Sequence, residues 1–310
     1  MTASCPPLLI LAFNRPDTTR RVLESVRVAR PARVYFAVDG PRADREGEAA
    51  AVQAVRELAG TLAPDIELHT LFQEKNLGCK LAVSQAIGWF FSDVEAGIIL
   101  EDDCIAHPSF FPFAAELLAR YRDDERVSMV SGNNFQRGRR RTEDSYYFSR
   151  YVHIWGWATW RRAWRLYDHG MARWPQLRAE GWLSDVLGDP VAVKYWTQVF
   201  DETHAERNTS WAYRWMFASW VHSRLVALPA VNLVSNIGFG EHATHTLNRE
   251  SPFAAMRTDA MRFPLQHPAS VMRDARADAF TQGTVYASVP PLWRRVARRA
   301  ARLFGREAGG

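Results

Sequence analysis

Between residues 8 and 130, short apolar runs alternate with stretches of helical periodicity, and few folds accept that order of segments. Runs at 8–13, 34–38, 66–72, 97–100 and 127–130 have the length of strands, and the stretches between them, at 17–26, 46–58 and 81–91, have the spacing of helices. This order predicts βα units on a mixed, mainly parallel sheet flanked by helices, that is, an α/β fold. Pro16 and Asp17 mark the first helix: Asp17 can cap it, and Val22, Leu23 and Val26 form its apolar side. Asp39, Gly40 and Pro41 close the second run as a turn.

The texture changes after residue 135. A charged loop at 137–144 is followed by ten of the twelve tryptophans, all between Trp155 and Trp220. The chain divides into a half at 1–135, a half at 136–290 of the same domain, and a basic amphipathic helix at 291–310. The net charge of +5 resides in that last segment: six arginines and one acid lie at 294–310, and the remaining basic and acidic residues balance. A neutral body offers no footprint for nucleic acid, so no nucleic-acid partner is expected. Cys5, Cys79 and Cys104 are far apart and share no metal-ligand spacing, which suits a reducing cytoplasm. The first 13 residues lack the positive region of a signal peptide, and the uncharged run at 225–240 is broken by Pro229, Asn232 and Asn236. A cytoplasmic location without a membrane span is expected.

In open α/β sheets, ligands bind beyond the carboxyl ends of the strands. Here those ends are polar: Asn14 and Arg15 after the first run, Asp39 after the second, and Glu101, Asp102 and Asp103 after the run at 97–100. Arg15 and the following helix N-terminus suit an anion, and Asp39 could accept a hydrogen bond from a base or ribose. Three carboxylates at a strand end suit a hard cation, Mg²⁺ or Mn²⁺, with phosphate oxygens in the rest of its shell. Such an ion would neutralise charge developing on a departing diphosphate.

The runs "LLILAFNRP", "VYFAVDG", "EKNLGCKLAV" and "GIILEDD" resemble the nucleotide-sugar half of GT-A fold glycosyltransferases, family 2-like and related to N-acetylglucosaminyltransferase I. The resemblance covers about the first 130 residues. It implies a GT-A, Rossmann-like fold and a metal-dependent transfer of a hexosyl or N-acetylhexosaminyl group from a nucleotide-diphosphate sugar to a glycan or lipid-linked acceptor, with inversion. By this likeness the acidic triplet is the family's DXD motif. Asp103 would contact the metal, and Glu101 and Asp102 would lie nearer the ribose and diphosphate. Asp39 would hold the base, and Asn14, Arg15 and Lys80 complete the candidate nucleotide-sugar contacts. A C-terminal histidine commonly joins the metal in such enzymes, which favours His245, three residues after His242 in "NIGFGEHATHT". Gly238, Gly240 and Ala243 in that stretch match G-x-G-x-x-A, but a dinucleotide fold carries this pattern in its first βα turn.

Indole faces suit the apolar side of a sugar ring, and Trp157 and Trp211 are the candidate acceptor contacts. Inverting enzymes need a carboxylate to take the acceptor proton. Relatives carry an aspartate beside a tryptophan, whereas here Ala212 follows Trp211. Three readings stay open: an engineered inactive form, a base supplied by Asp185, Asp201 or Glu202, or a protein that binds sugar nucleotides or carbohydrate without turnover. A nucleotidylyltransferase would need a glycine-rich phosphate loop after the first strand, and "AFNRPDTT" lacks those glycines. In the last segment Leu292, Trp293, Val296, Ala300, Leu303 and Phe304 alternate with arginines at helical spacing. That pattern suits an anionic membrane surface at the inner leaflet.

Overall fold

The computed structural model describes residues 5–239 and 252–286. In chain order the first half contains β1 (Leu8–Ala12), α1 (Pro16–Ala29), β2 (Arg33–Val38), α2 (Glu48–Glu57), β3 (Glu67–Phe72), α3 (Gly78–Asp93), β4 (Ala96–Glu101), β5 (Cys104–Ala106), α4 (Phe110–Arg120) and β6 (Val127–Ser131). The second half adds β7 (Tyr146–Ser149), β8 (Trp157–Trp160), α5 (Arg161–Trp164), α6 (Trp174–Ala179), α7 (Trp182–Leu187), α8 (Pro190–His204), α9 (Trp211–Val221), β9 (Leu225–Pro229), β10 (Val234–Asn236) and α10 (Ala275–Thr281). All five expected runs are strands. The run at 127–130 is the sixth strand, because β5 intervenes and pairs antiparallel with β10 in a separate small sheet.

Eight strands form one sheet in the order β3-β2-β1-β4-β8-β6-β9-β7. β1 pairs in parallel with β2 on one side and with β4 on the other. The chain therefore steps outward from β1 to β3 and then returns across β1, and this reversal opens a crevice beyond the carboxyl ends of β1 and β4. β8 is antiparallel between β4 and β6, and β7 is antiparallel to β9. Because β8 lies between two strands of the first half, the sheet continues unbroken across residue 135.

Parallel strands covered on both faces need continuous apolar sequence, and successive residues divide between two cores. Leu8, Ile10, Val34, Phe36, Ile98 and Leu100 join the core that includes residues of α1, α2 and α4. Leu9, Leu11, Tyr35 and Ile99 join the core that includes residues of α3, α8 and α9. The tryptophan-rich region builds most of the second core, in which Trp157, Trp164, Trp174, Trp196, Trp211, Trp215 and Trp220 are buried.

Two expectations are corrected. Trp157 and Trp211 are 0% and 2% exposed and stack on each other with centroids 5.7 Å apart, so neither offers a face to an acceptor. The large apolar area of each indole is better satisfied against the sheet than against a transient sugar. Asp17 does not cap α1: Arg15 holds the N-cap position, Pro16 begins the helix, and Asp17 pairs with Arg20 at the surface. His242, His245 and the amphipathic segment at 291–310 lie outside the described residues. Among the described residues, no helix is long and apolar enough to cross a membrane.

Trp157→Ala is expected to lower the unfolding free energy by about 3–5 kcal/mol in denaturant titration. Half-buried Trp155, changed in the same way, should cost less than half as much. Equal losses would contradict this division of the tryptophans.

Candidate functional site

A cavity of about 1010 Å³ lies beyond the carboxyl ends of β1, β2 and β4, where the strand order reverses. Asn14, Arg15, Asp39, Glu101 and Asp102 line it, so five of the six nucleotide-sugar contacts expected from sequence meet on one wall system. Lys80 is not among the lining residues: its ammonium pairs with Glu206.

The centre of the wall is an ion cluster. The Arg15 guanidinium pairs with Asp102 and, at 2.9 Å, with Asp103 Oδ2. The other Asp102 oxygen accepts the Phe13 backbone N–H at 3.3 Å, which ties the end of β1 to the end of β4. Burial works against the charge on Arg15, but Asp102 and Asp103 outweigh it and raise its basicity. Burial also lifts Asp102 above the ordinary carboxylate range, with Arg15 pulling it back. Glu101 is lifted by burial and then by the charges of Asp103 and Asp102. Its Oε1 is buried with no hydrogen-bond partner among the described residues.

The back of the cluster is closed by a segment that sequence reasoning did not connect to it. Pairing of β10 with β5 brings Asn236 beside Asp103, where its Nδ2 donates to Asp103 Oδ1 at 3.1 Å. Ile237 N–H donates to the Asp103 carbonyl at 2.9 Å. A Cβ at Gly238 would overlap the Asp103 carboxylate and crowd Arg15. This glycine therefore serves a close backbone approach to the acidic triplet. The available signal was its position two residues after β10, which the dinucleotide pattern obscured.

Asp39 lines the cavity, but the protein already uses its oxygens. Oδ1 accepts the N–H groups of Gly40 (2.8 Å) and Leu77 (2.9 Å), and Oδ2 accepts Asn76 Nδ2 (2.9 Å) and Gly78 N–H (3.1 Å). The carboxylate thus holds the orphan amides at the start of α3, the task usually done by a local cap. Burial raises its pKa and these donors oppose that rise. Buried Glu48 accepts Asn14 Nδ2 at 2.9 Å and Arg42 N–H at 2.7 Å and so holds two lining residues, a pairing not evident from sequence. The Cys79 thiol on the wall is pushed up to about 12 by burial, then by Glu101 and Asp39, so it is no thiolate nucleophile at neutral pH.

None of the residues considered for the catalytic base lines the cavity. Ala212 is the second residue of α9 and packs against the second core. Asp201 accepts Trp174 Nε1 at 3.1 Å and Arg178 Nε at 2.6 Å, and Glu202 accepts Gln198 Nε2 at 2.9 Å. Asp185 is exposed on α7. Among the described residues, no three His, Cys, Asp or Glu side chains converge in a way that could hold a metal ion.

Searches against protein-family models and against curated proteins find no match. Among solved structures the chain is similar to HddC from Yersinia pseudotuberculosis at 11% identity and a TM-score of 0.32, over 51% of this chain and 77% of that one. It is similar to UTP-bound UGPase from Acinetobacter baumannii at 7% identity and a TM-score of 0.35, over 73% and 85% of the two chains. For the inositol-1-phosphate CTP transferase from T. maritima the values are 10%, 0.37, 74% and 86%. Likeness of this size carries no argument about chemistry.

Arg15→Ala should destabilise the fold by about 3 kcal/mol at neutral pH, because it leaves two buried carboxylates without their counter-ion. Carboxylates whose pKa is raised by burial favour the folded state when protonated, and that contribution is lost as pH rises through the raised value. The penalty should therefore grow from about pH 4, the ordinary Asp value, to pH 7 in urea titrations of both proteins. A penalty that shrinks with rising pH would contradict the assigned pairing.

Proposed function

We propose that the chain is a glycosyltransferase that binds a nucleotide-diphosphate sugar in this cavity and transfers the sugar to a glycan or lipid-linked acceptor. One observation carries the reading: Arg15, Glu101 and Asp102 line a cavity large enough for an extended ligand at the switch point of a mainly parallel sheet, and Asp103, which is not a lining residue, pairs with Arg15. Arg15, kept charged by its partners, suits a diphosphate, and Asn14 and the start of α1 add donors nearby.

No three acidic or imidazole side chains converge among the described residues, so a Mn²⁺ or Mg²⁺ ion would take at most two carboxylates of the triplet and complete its shell with phosphate oxygens of the ligand. Glu101 Oε1 is buried with no hydrogen-bond partner among the described residues. Asp103 would hold the ion in exchange for Arg15, with Glu101 beside it. His245, outside the described residues, stays a proposed further ligand. When bound, the ion would neutralise charge on the leaving diphosphate. Arg15, released from Asp103, would remain close enough to do the same from the protein side. Asp39 would act on the nucleotide indirectly, by fixing the start of α3 at the cavity wall.

A second reading, binding of the nucleotide sugar without turnover, is favoured by the absence of Ala212, Asp185, Asp201 and Glu202 from the lining. Release of nucleoside diphosphate from a nucleotide sugar in the presence of Mn²⁺ separates the two. Contact of the segment at 291–310 with anionic lipid is kept as part of the proposal for a lipid-linked acceptor.

Calorimetry with a panel of nucleoside diphosphates is expected to find at least one ligand whose affinity falls about tenfold or more on chelation of Mn²⁺ or in Asp103→Asn, the loss of one charge-assisted contact. No binding by any of the panel would overturn the donor site. Equal affinity with metal and with chelator would overturn the metal assignment.

A further inference from the structure

A strip of aromatic rings leads away from the cavity. Phe239, on the cavity wall, meets Trp155 edge to face at 5.6 Å, Trp155 meets Phe135 at 5.1 Å, and Phe135 meets Phe253 at 5.3 Å. The strip ends at a basic loop: the Arg137 guanidinium lies over Phe253 at 5.5 Å, and Arg139 and Arg141 lie over Phe280 at 4.5 and 5.1 Å. The loop is pinned from beneath by Gln136, whose Nε2 donates to Thr281 Oγ1 at 3.0 Å and whose Oε1 accepts Arg141 Nε at 2.6 Å. Arg137 (φ 52°) and Gly138 (φ 76°) are both left-handed, a turn that an arginine adopts only where its surroundings require it.

Among the described residues, none of Arg137, Arg139 and Arg141 is paired with a carboxylate, whereas neighbouring Arg140 pairs with Glu143. A guanidinium held over a ring by cation–π attraction still has N–H donors for an anion, and its planar fork matches a carboxylate or phosphate. Half-buried Trp155 and Phe239 offer apolar ring surface between the cavity and these charges. We infer that this strip and loop form an acceptor track for an anionic oligosaccharide: sugar rings pack on Trp155 and Phe239, and a carboxylate- or phosphate-bearing unit further along the chain meets Arg137 and Arg139. The inference rests on the donor-site reading above and names the acceptor class for that site. A lipid surface fits less well, because the exposed large apolar side chains of the described residues, such as Phe72, Val191 and Met272, lie outside the strip and leave it no group to insert.

The test uses a glycan array carrying uronate-bearing, phosphate-bearing and neutral oligosaccharides, probed with the full chain and with Arg137→Glu/Arg139→Glu, both changes on exposed side chains. The unmodified chain is expected to retain charged oligosaccharides over neutral ones of equal length. The double variant should lose that retention by about tenfold or more, the value of one or two charge-assisted contacts, with nucleoside diphosphate affinity unchanged. Trp155→Ala should weaken retention of the same glycans. Retention of neutral glycans alone, of none, or of charged glycans equally by both proteins would overturn the inference. Arginine-dependent pelleting with phosphatidylglycerol vesicles, without charged-glycan binding, would overturn it in favour of a membrane contact. Failure of the unmodified chain to bind any nucleoside diphosphate would instead sink the donor-site reading.

Discussion

The arrangement depends on one ion cluster, Arg15 with Asp102 and Asp103, held where β1 and β4 end side by side. Buried carboxylates are costly unless a partner compensates them, and three in succession cannot be accommodated by solvent alone at a largely closed strand end. Arg15 supplies the compensation, and the position of everything around it follows. Phe13 ties its amide to Asp102, Asn236 donates to Asp103, and Gly238 leaves room for Asp103 and Arg15. Under the proposed function, a ligand anion would claim Arg15 and a cation would claim the carboxylates that Arg15 gives up.

A rigid sheet keeps those groups in register. The second half of the chain contributes β8 between β4 and β6 and packs its indoles against the face opposite α1, α2 and α4, so the acidic triplet is backed by a core on both sides. The buried tryptophans therefore serve the site by stiffening its floor, while half-buried Trp155 meets Phe239 of the cavity wall.

Much of the first half was legible in the sequence because its signals are local. Apolar runs bounded by polar residues state where strands end, and the strand order of βα units then brings Arg15 and the triplet together. The later half was harder. Burial of Trp157 and Trp211 depends on pairing with β4 and α3, which no local pattern encodes, so the indoles read equally well as sugar platforms. Asp39 was recognised as important, but its partners at residues 76–78 are set by a close approach of the chain at Gly40 and Lys75. The link between Asn236 and Asp103 crosses 133 residues and arises from a three-residue strand too short to stand out. Alanine at 212 leaves no carboxylate beside Trp211, and the nearby acids Asp201 and Glu202 bond to Trp174, Arg178 and Gln198, partners that sequence proximity does not reveal.

In the proposed function a nucleotide sugar enters at the reversal between β1 and β4. Hydrogen exchange with and without nucleotide sugar and Mn²⁺ tests it most directly, since amides beside a bound ligand slow while distant ones do not. Protection is expected at 13–18, 39–45, 76–83 and 101–104, the segments that wall the cavity, with no change across α8. Protection confined to other segments, or none at saturating ligand, would contradict the account.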